Sequence, residues 1–143
     1  MNIKFVKNTP KIWLKKFPWK KQKDHKYSRG KLVVLGSQKH MTGATILSTE
    51  SALRVGTGSV KILSSKQTLP IYSIKFPSAL KEEINNLKSL SKFVNKEKSS
   101  TYLIGPGAGS NNLTKKKTRL ILKKIKNVVV DADALTCFKR KPE

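Results

Sequence analysis

"KLVVLGSQKHMTGATILSTESALRVGTGSVKIL", Lys31 to Leu63, is the stretch whose reading decides the fold. Its opening, "KLVVLG", is a short β-branched and leucine run that ends in glycine, as a buried strand does. From Thr42 the pattern turns helical: Ile46, Leu47 and Leu53 share a face, Ala44 and Ala52 favour helix, and Gly56 supplies a stop. "GSVKIL" then reads as a second strand. Strand, glycine-bearing loop, helix and strand make a βαβ unit, whose crossover is right-handed and whose strands are parallel.

Working outward, "IYSIKF" (71–76) reads as a third strand, reached through the loop "SKQTLP" with Pro70 at the boundary. "SALKEEINNLKSLSKFV" (78–94) places Leu80, Ile84, Leu87, Leu90 and Val94 at three- and four-residue spacings, a helix with one buried stripe. Ser78 is its expected cap, with Glu82 and Glu83 near the positive end. "TYLIG" and "NVVVDA" are short apolar strands, and "LTKKKTRLILKKI" between them is a helix with Leu120, Ile121 and Ile125 inward. Such alternation predicts an α/β fold, a mainly parallel sheet with helices on its faces. The loops after the strands then gather at one edge, where open α/β sheets bind ligands. Residues 1–24, with Trp13, Phe17, Pro18 and Trp19 among lysines, show no sustained period and read as a basic, irregular arm whose aromatics pack on the domain. Residues 25–143 form the domain proper.

At 143 residues the chain suits one structural unit. No apolar run reaches membrane-spanning length, and charges interrupt the N-terminus too closely for a signal peptide, so a soluble, cytoplasmic protein is expected. With Cys137 alone and only His25 and His40, neither an internal disulfide nor a zinc site of ordinary spacing can form. The formal charge of +23 invites a nucleic-acid reading. Against it, the cations are overwhelmingly lysine rather than the guanidinium fork that reads bases and phosphates, and they spread through every segment. A general cationic surface is the reading adopted, with clusters at Lys15–Lys23 and Lys115–Lys117; a basic nucleic-acid-binding protein is the alternative.

Chemistry has few places to sit. "GPGAG" (105–109) removes side chains where backbone N–H groups can approach a ligand, and Pro106 stiffens the path. A loop of this kind running into a helix presents amide donors to an anion. It is neither a Walker loop, since no GK[ST] follows, nor a dinucleotide fingerprint. Asp131 follows "NVVV" at the carboxyl end of a strand and is expected near a polar site, whereas Asp133 reads as a helix cap. No nucleophile, base and orienting acid stand at a telling spacing, so a catalytic triad has no support.

In order, "HKYSRG", the strand "KLVVLG", "MTGA" and "ALRVGTG", followed by "IGPGAG" and "VVVDADAL", resemble blocks of the NAD(P)H-hydrate dehydratases, over about residues 25–138. Tyr27, Leu35 and Ala108 depart from that pattern, which has glycine at the first two positions and often leucine at the third. The resemblance implies a ribokinase-like three-layer α/β/α fold with a mainly parallel sheet, truncated here. It implies a lyase that uses ADP or ATP, with Mg2+, to return hydrated NAD(P)H to NAD(P)H. It also implies substrate contacts at Ala44 and Gly109, supported by Gly43 and Gly107, with Asp131 near the site and no protein metal ligands. The family's G-T-G-D block, which carries the catalytic aspartate, would lie beyond Glu143. The chain is therefore expected to be the N-terminal half of such an enzyme, inactive alone, completed by a C-terminal half and oligomeric when complete. A ribokinase-like sugar or vitamin kinase fragment is the alternative within the same fold.

Overall fold

The computed structural model describes residues 5–139. The first four residues of the expected arm and the last four of the chain lie outside the described residues. After a short helix α1 (Pro10–Trp13), the domain runs β1 (Lys31–Leu35), α2 (Thr42–Val55), β2 (Ser59–Ser64), α3 (Leu69–Lys75), β3 (Leu80–Glu83), α4 (Leu87–Lys96), β4 (Thr101–Ile104), α5 (Asn112–Lys124), β5 (Val128–Val130) and α6 (Asp133–Thr136). The five strands form one sheet in the order β3-β2-β1-β4-β5, with every pairing parallel.

Alternation along β1 sorts the core into two layers, because successive strand side chains face opposite sides of the sheet. Val33 and Leu35 point to one face and join Leu90, Phe93, Val94, Tyr102, Ile104, Ile121 and Ile125 beneath α4 and α5. Val34 points to the other and joins Val60, Ile62, Tyr72, Phe76 and Ala79, with Ile46 and Leu53 of α2 against them. Helices thus cover both faces, giving the expected three layers. Ile121 and Ile125 are buried and Leu120 packs beside them, as the periodicity predicts.

Three local expectations are corrected. "IYSIKF" is not a strand but most of helix α3. Pro70 sits in its first turn, where a missing N–H is harmless, and Tyr72 and Phe76, one turn apart, supply the buried face while Ile74 is 84% exposed. The third strand comes later, from the first part of the segment read as one long helix: Leu80–Glu83 adds to the outer side of β2. It is a short, charged edge strand, with Glu82 facing Lys61 at 3.5 Å, as sheet edges that avoid further pairing commonly are. Helix α4 therefore starts at Leu87, and its cap is Asn86 rather than Ser78. The Asn86 side chain accepts from the Ser89 N–H, and the Ser89 hydroxyl oxygen accepts from the Asn86 N–H. In α2, Leu47 faces solvent, and the buried positions are Thr45 and Thr49.

The basic arm keeps its aromatics together. Trp13 and Phe17 lie 6.0 Å apart between ring centroids and Phe17 and Trp19 4.6 Å apart. Trp13 and Trp19 remain exposed rather than packed away against the domain.

Candidate functional site

The chain leaves β1 toward β2 on one side and β4 toward β5 on the other, so the strand order reverses between β1 and β4. At such a switch point the two following loops splay apart and leave a crevice at the carboxyl edge of the sheet. Here the two loops are tied across it. The Ser37 N–H donates to Thr45 Oγ1 at 2.8 Å, the two hydroxyls are 2.6 Å apart, and Ser37 Oγ donates to the Pro106 carbonyl at 3.0 Å. Gln38 N–H donates to the Gly107 carbonyl at 2.9 Å. Thr45 is thus buried for a reason: its hydroxyl organises the loop preceding its own helix.

The third post-strand loop joins from the other side. Gly105, at φ +129°, brings its backbone so close to the Asp131 carbonyl that an added Cβ would lie 1.7 Å from that oxygen. Gly109, at φ +78°, donates its N–H to Asp133 Oδ2 at 2.8 Å. The predicted meeting of "GSQKHMTGA", "GPGAG" and "DADAL" at one edge is therefore real. Asp133 is not the helix cap it was expected to be: Ala132, at φ +44°, holds the N-cap position of α6, and the Asp133 carboxylate is spent on the glycine loop.

The residues named from sequence occupy distinct places along this edge. Gly43 lies in the first turn of α2, exposed, with nothing within 4 Å of where a Cβ would stand. Ala44 follows it, half-buried, its carbonyl accepting from Ser48 Oγ. Gly107 is buried beneath Ser37, and Gly109 lies against the Gln38 side chain. Asp131 is exposed just beyond β5, and its N–H continues the ladder to the Ile104 carbonyl at 3.1 Å. His25 sits away from this edge, where its Nδ1 accepts from the Tyr27 and Ser28 N–H groups of the turn leading to β1.

Beside the loops, on the α4–α5 side of the sheet, a cleft of about 270 Å³ opens. Leu35, Leu63, Leu90 and Ile104 make its apolar floor, and Gln38, Gln67, Asn85 and Asn111 bring amide groups. Lys117, from the second turn of α5, lines the cleft, and burial pushes its ammonium below the ordinary lysine range. Sequence reasoning grouped Lys117 with its neighbours as surface charge. The usable signal was its spacing from the buried Thr114 and Ile121, which turns it inward on the same side of the helix. Among the described residues no group of three or more His, Cys, Asp or Glu side chains is arranged to hold a metal.

A three-layer α/β/α sandwich with an all-parallel sheet, a reversal between β1 and β4 and a glycine loop at the carboxyl edge is a ribokinase-like domain. A ribokinase-like superfamily protein from Enterococcus faecalis superposes with a TM-score of 0.79 at 20% identity, over 98% of this chain and 51% of that one. The chain belongs to the NAD(P)H-hydrate dehydratase family, whose model matches residues 32–143. It is similar to the ADP-dependent (S)-NAD(P)H-hydrate dehydratase of Listeria monocytogenes, 27% identical over 135 residues, 92% of this chain and 48% of that protein. It is also similar to the ADP/ATP-dependent NAD(P)H-hydrate dehydratase of Bacillus subtilis, co-crystallised with ATP/Mg2+, with a TM-score of 0.70 and 25% identity, over 82% of this chain and 42% of that one. The chain spans about half the length of the Listeria relative it matches. No helix among the described residues is long and apolar enough to cross a membrane.

Proposed function

We propose that this chain provides the substrate-binding glycine edge of an ADP- or ATP-dependent NAD(P)H-hydrate dehydratase, a lyase that repairs hydrated nicotinamide cofactors. The observation that carries the reading is the tied switch point: three loops meet where ligands of open α/β sheets bind, and two are joined through Ser37, Thr45 and Pro106. Membership of the family supplies the reaction class.

In this reading Ala44 and Gly109 contact the hydrated cofactor, Gly43 and Gly107 support them, and Asp131 stands nearby. Gly43 suits that role because the space where a side chain would stand is open. The nucleotide's terminal phosphoryl group passes to the ring hydroxyl, the C–O bond then breaks with phosphate leaving, and loss of a proton restores the dihydronicotinamide. Such chemistry rests on positioning and on neutralising the transferred phosphoryl group. Mg2+, where it takes part, would be held largely by the nucleotide phosphates and residues of another segment. No described residue of this chain is assigned as the catalytic acid or base. The catalytic aspartate is assigned to a complementary half, with which the chain forms the working enzyme.

The test is recovery of NADH absorbance from its hydrate with ADP and then ATP, after circular dichroism has shown the chain to be folded. The expected result is no turnover by the chain alone, and turnover when it is mixed with the complementary half of the Listeria relative. A folded mixture that binds neither hydrated nor intact NAD(P) would overturn the reading.

A further inference from the structure

Both tryptophans of the chain, Trp13 and Trp19, lie in the arm that precedes the domain, and both are exposed. Residues 5–23 carry lysine at seven of nineteen positions, with no arginine and no acid; all 8 acidic residues of the chain come later, from Asp24 on. Each of those lysines is exposed, and none makes an ion pair among the described residues. On the domain, by contrast, cations share the surface with acids, as Lys61 does with Glu82. The arm also differs in what stands among its charges. Phe5 is 90% exposed and Trp19 60%, and Val6, Ile12, Trp13 and Leu14 face solvent beside them. Apolar groups left bare together within a polar rim mark a contact surface.

Within the arm the rings are already gathered. Phe17 sits between the two indoles, its centroid 6.0 Å from that of Trp13 and 4.6 Å from that of Trp19, and Trp19 Nε1 donates to the Leu14 carbonyl at 3.3 Å. The Trp19 N–H is thus satisfied inside the arm, so moving that ring out of water strands no donor. We propose that residues 5–23 dock this protein on an anionic lipid surface, the lysines meeting headgroup phosphates while the bare aromatic and aliphatic groups enter the interface. Three features favour lipid over nucleic acid, the other polyanion that lysine attracts. Val6, Ile12 and Leu14 are aliphatic, and lipid receives them as readily as it receives rings, whereas bases stack on aromatic faces. Neighbouring rings are tilted by 57° and 53°, which offers edges rather than a row of parallel faces for successive bases. Lysine without arginine supplies point charges, enough for a field of headgroups but lacking the fork that grips single phosphates and base edges.

The proposal is independent of the dehydratase reading and is tested without turnover. Because both tryptophans lie in the arm, their fluorescence reports on it directly in the unaltered chain. The folded chain is mixed with phosphatidylcholine vesicles, with and without about one quarter phosphatidylglycerol, and separately with single-stranded oligothymidylate, all at about 0.15 M salt. The expected result is a blue shift, and quenching by bromine-labelled acyl chains, with the anionic vesicles only, and binding to them at least tenfold tighter than to neutral ones. Lys15→Gln, Lys16→Gln, Lys20→Gln and Lys21→Gln combined should weaken that binding at least tenfold. The same change of charge on the domain, by Lys66→Gln, Lys92→Gln, Lys116→Gln and Lys123→Gln combined, should weaken it less than about threefold. Ile12→Ser with Leu14→Ser, which alters no charge, should weaken it at least fivefold. Equal losses from the two lysine sets would mean general attraction to a cationic surface and would overturn the proposal. So would vesicle binding without quenching by the brominated chains, or a fluorescence change caused by oligothymidylate and not by the vesicles.

Discussion

Gly105→Ala is the sharpest probe of how the glycine loop is built. Gly105 adopts φ +129°, a region in which L side chains are strained by about 1 to 3 kcal/mol. An alanine methyl there would also stand 1.7 Å from the Asp131 carbonyl oxygen and 3.0 Å from the Ala134 side chain, the first being backbone that no rotamer change can move. Relieving that overlap means pushing the β5–α6 junction away from β4, an overpacking cost of about 1 to 3 kcal/mol. The two together predict a loss of about 2 to 6 kcal/mol. With a urea slope of about 1 to 3 kcal/mol per molar for a small domain, the midpoint should fall by roughly 1 M or more. Gly43→Ala is the control: in open space within a helix, it should leave stability unchanged or raise it by up to about 1 kcal/mol. If the Gly105→Ala midpoint falls no further than that of Gly43→Ala, the close approach of β4 to the β5–α6 junction is not what fixes this loop.

Thr45→Val removes the hydroxyl that accepts the Ser37 N–H in a buried setting, so a loss of about 1 to 3 kcal/mol is expected in urea unfolding, and Thr45→Ser should recover most of it. Asp133→Ala deprives the Gly109 N–H of a charged acceptor, and amide exchange at Gly109 should quicken at least tenfold while the exchange of β1 amides changes little. Tyr102 is buried, and its phenol is pushed up from 10.0 to about 12, first by burial and then by the charges of Glu97 and Glu82. A group whose folded pKa is raised contributes stability that is whole below the unfolded value and is lost as pH rises through the folded one. Unfolding midpoints should therefore fall between about pH 10 and 12, and Tyr102→Phe should lack that part of the slope.

The architecture was legible because "KLVVLG", "TYLIG" and "NVVVDA" are short apolar runs that admit one reading once helices separate them. The misreadings were of period and boundary. In "IYSIKF", Tyr72 and Phe76 are the buried pair at helical spacing, but Ile71 and Ile74 dilute that signal with apolar groups that face solvent. In "SALKEEINN", a four-residue edge strand buries too little to leave a pattern, and its charges are what an unpaired edge favours. At the site, the glycine loop and its partner loops were visible because backbone geometry demands glycine. The bond from Ser37 to Pro106 was not, since it depends on contact between segments far apart in the chain, and the helical spacing of Lys117 from Thr114 and Ile121 was masked by the run of lysines around it.

The pairing of β1 with β4 joins residues 32–34 to residues 101–103, whereas β1 meets β2 within the first βαβ unit, Lys31 opposite Ser59. Closing the longer of these two chain loops costs only about 0.8 kcal/mol more in configurational entropy, because that cost grows with the logarithm of length. A single hydrogen bond such as Ser37 to Pro106 is enough to offset it. The crevice between distant parts of the chain is thus nearly free to assemble at equilibrium, and its burden falls instead on the search: the ligand edge comes into being only when the slowest, most non-local strand contact is made.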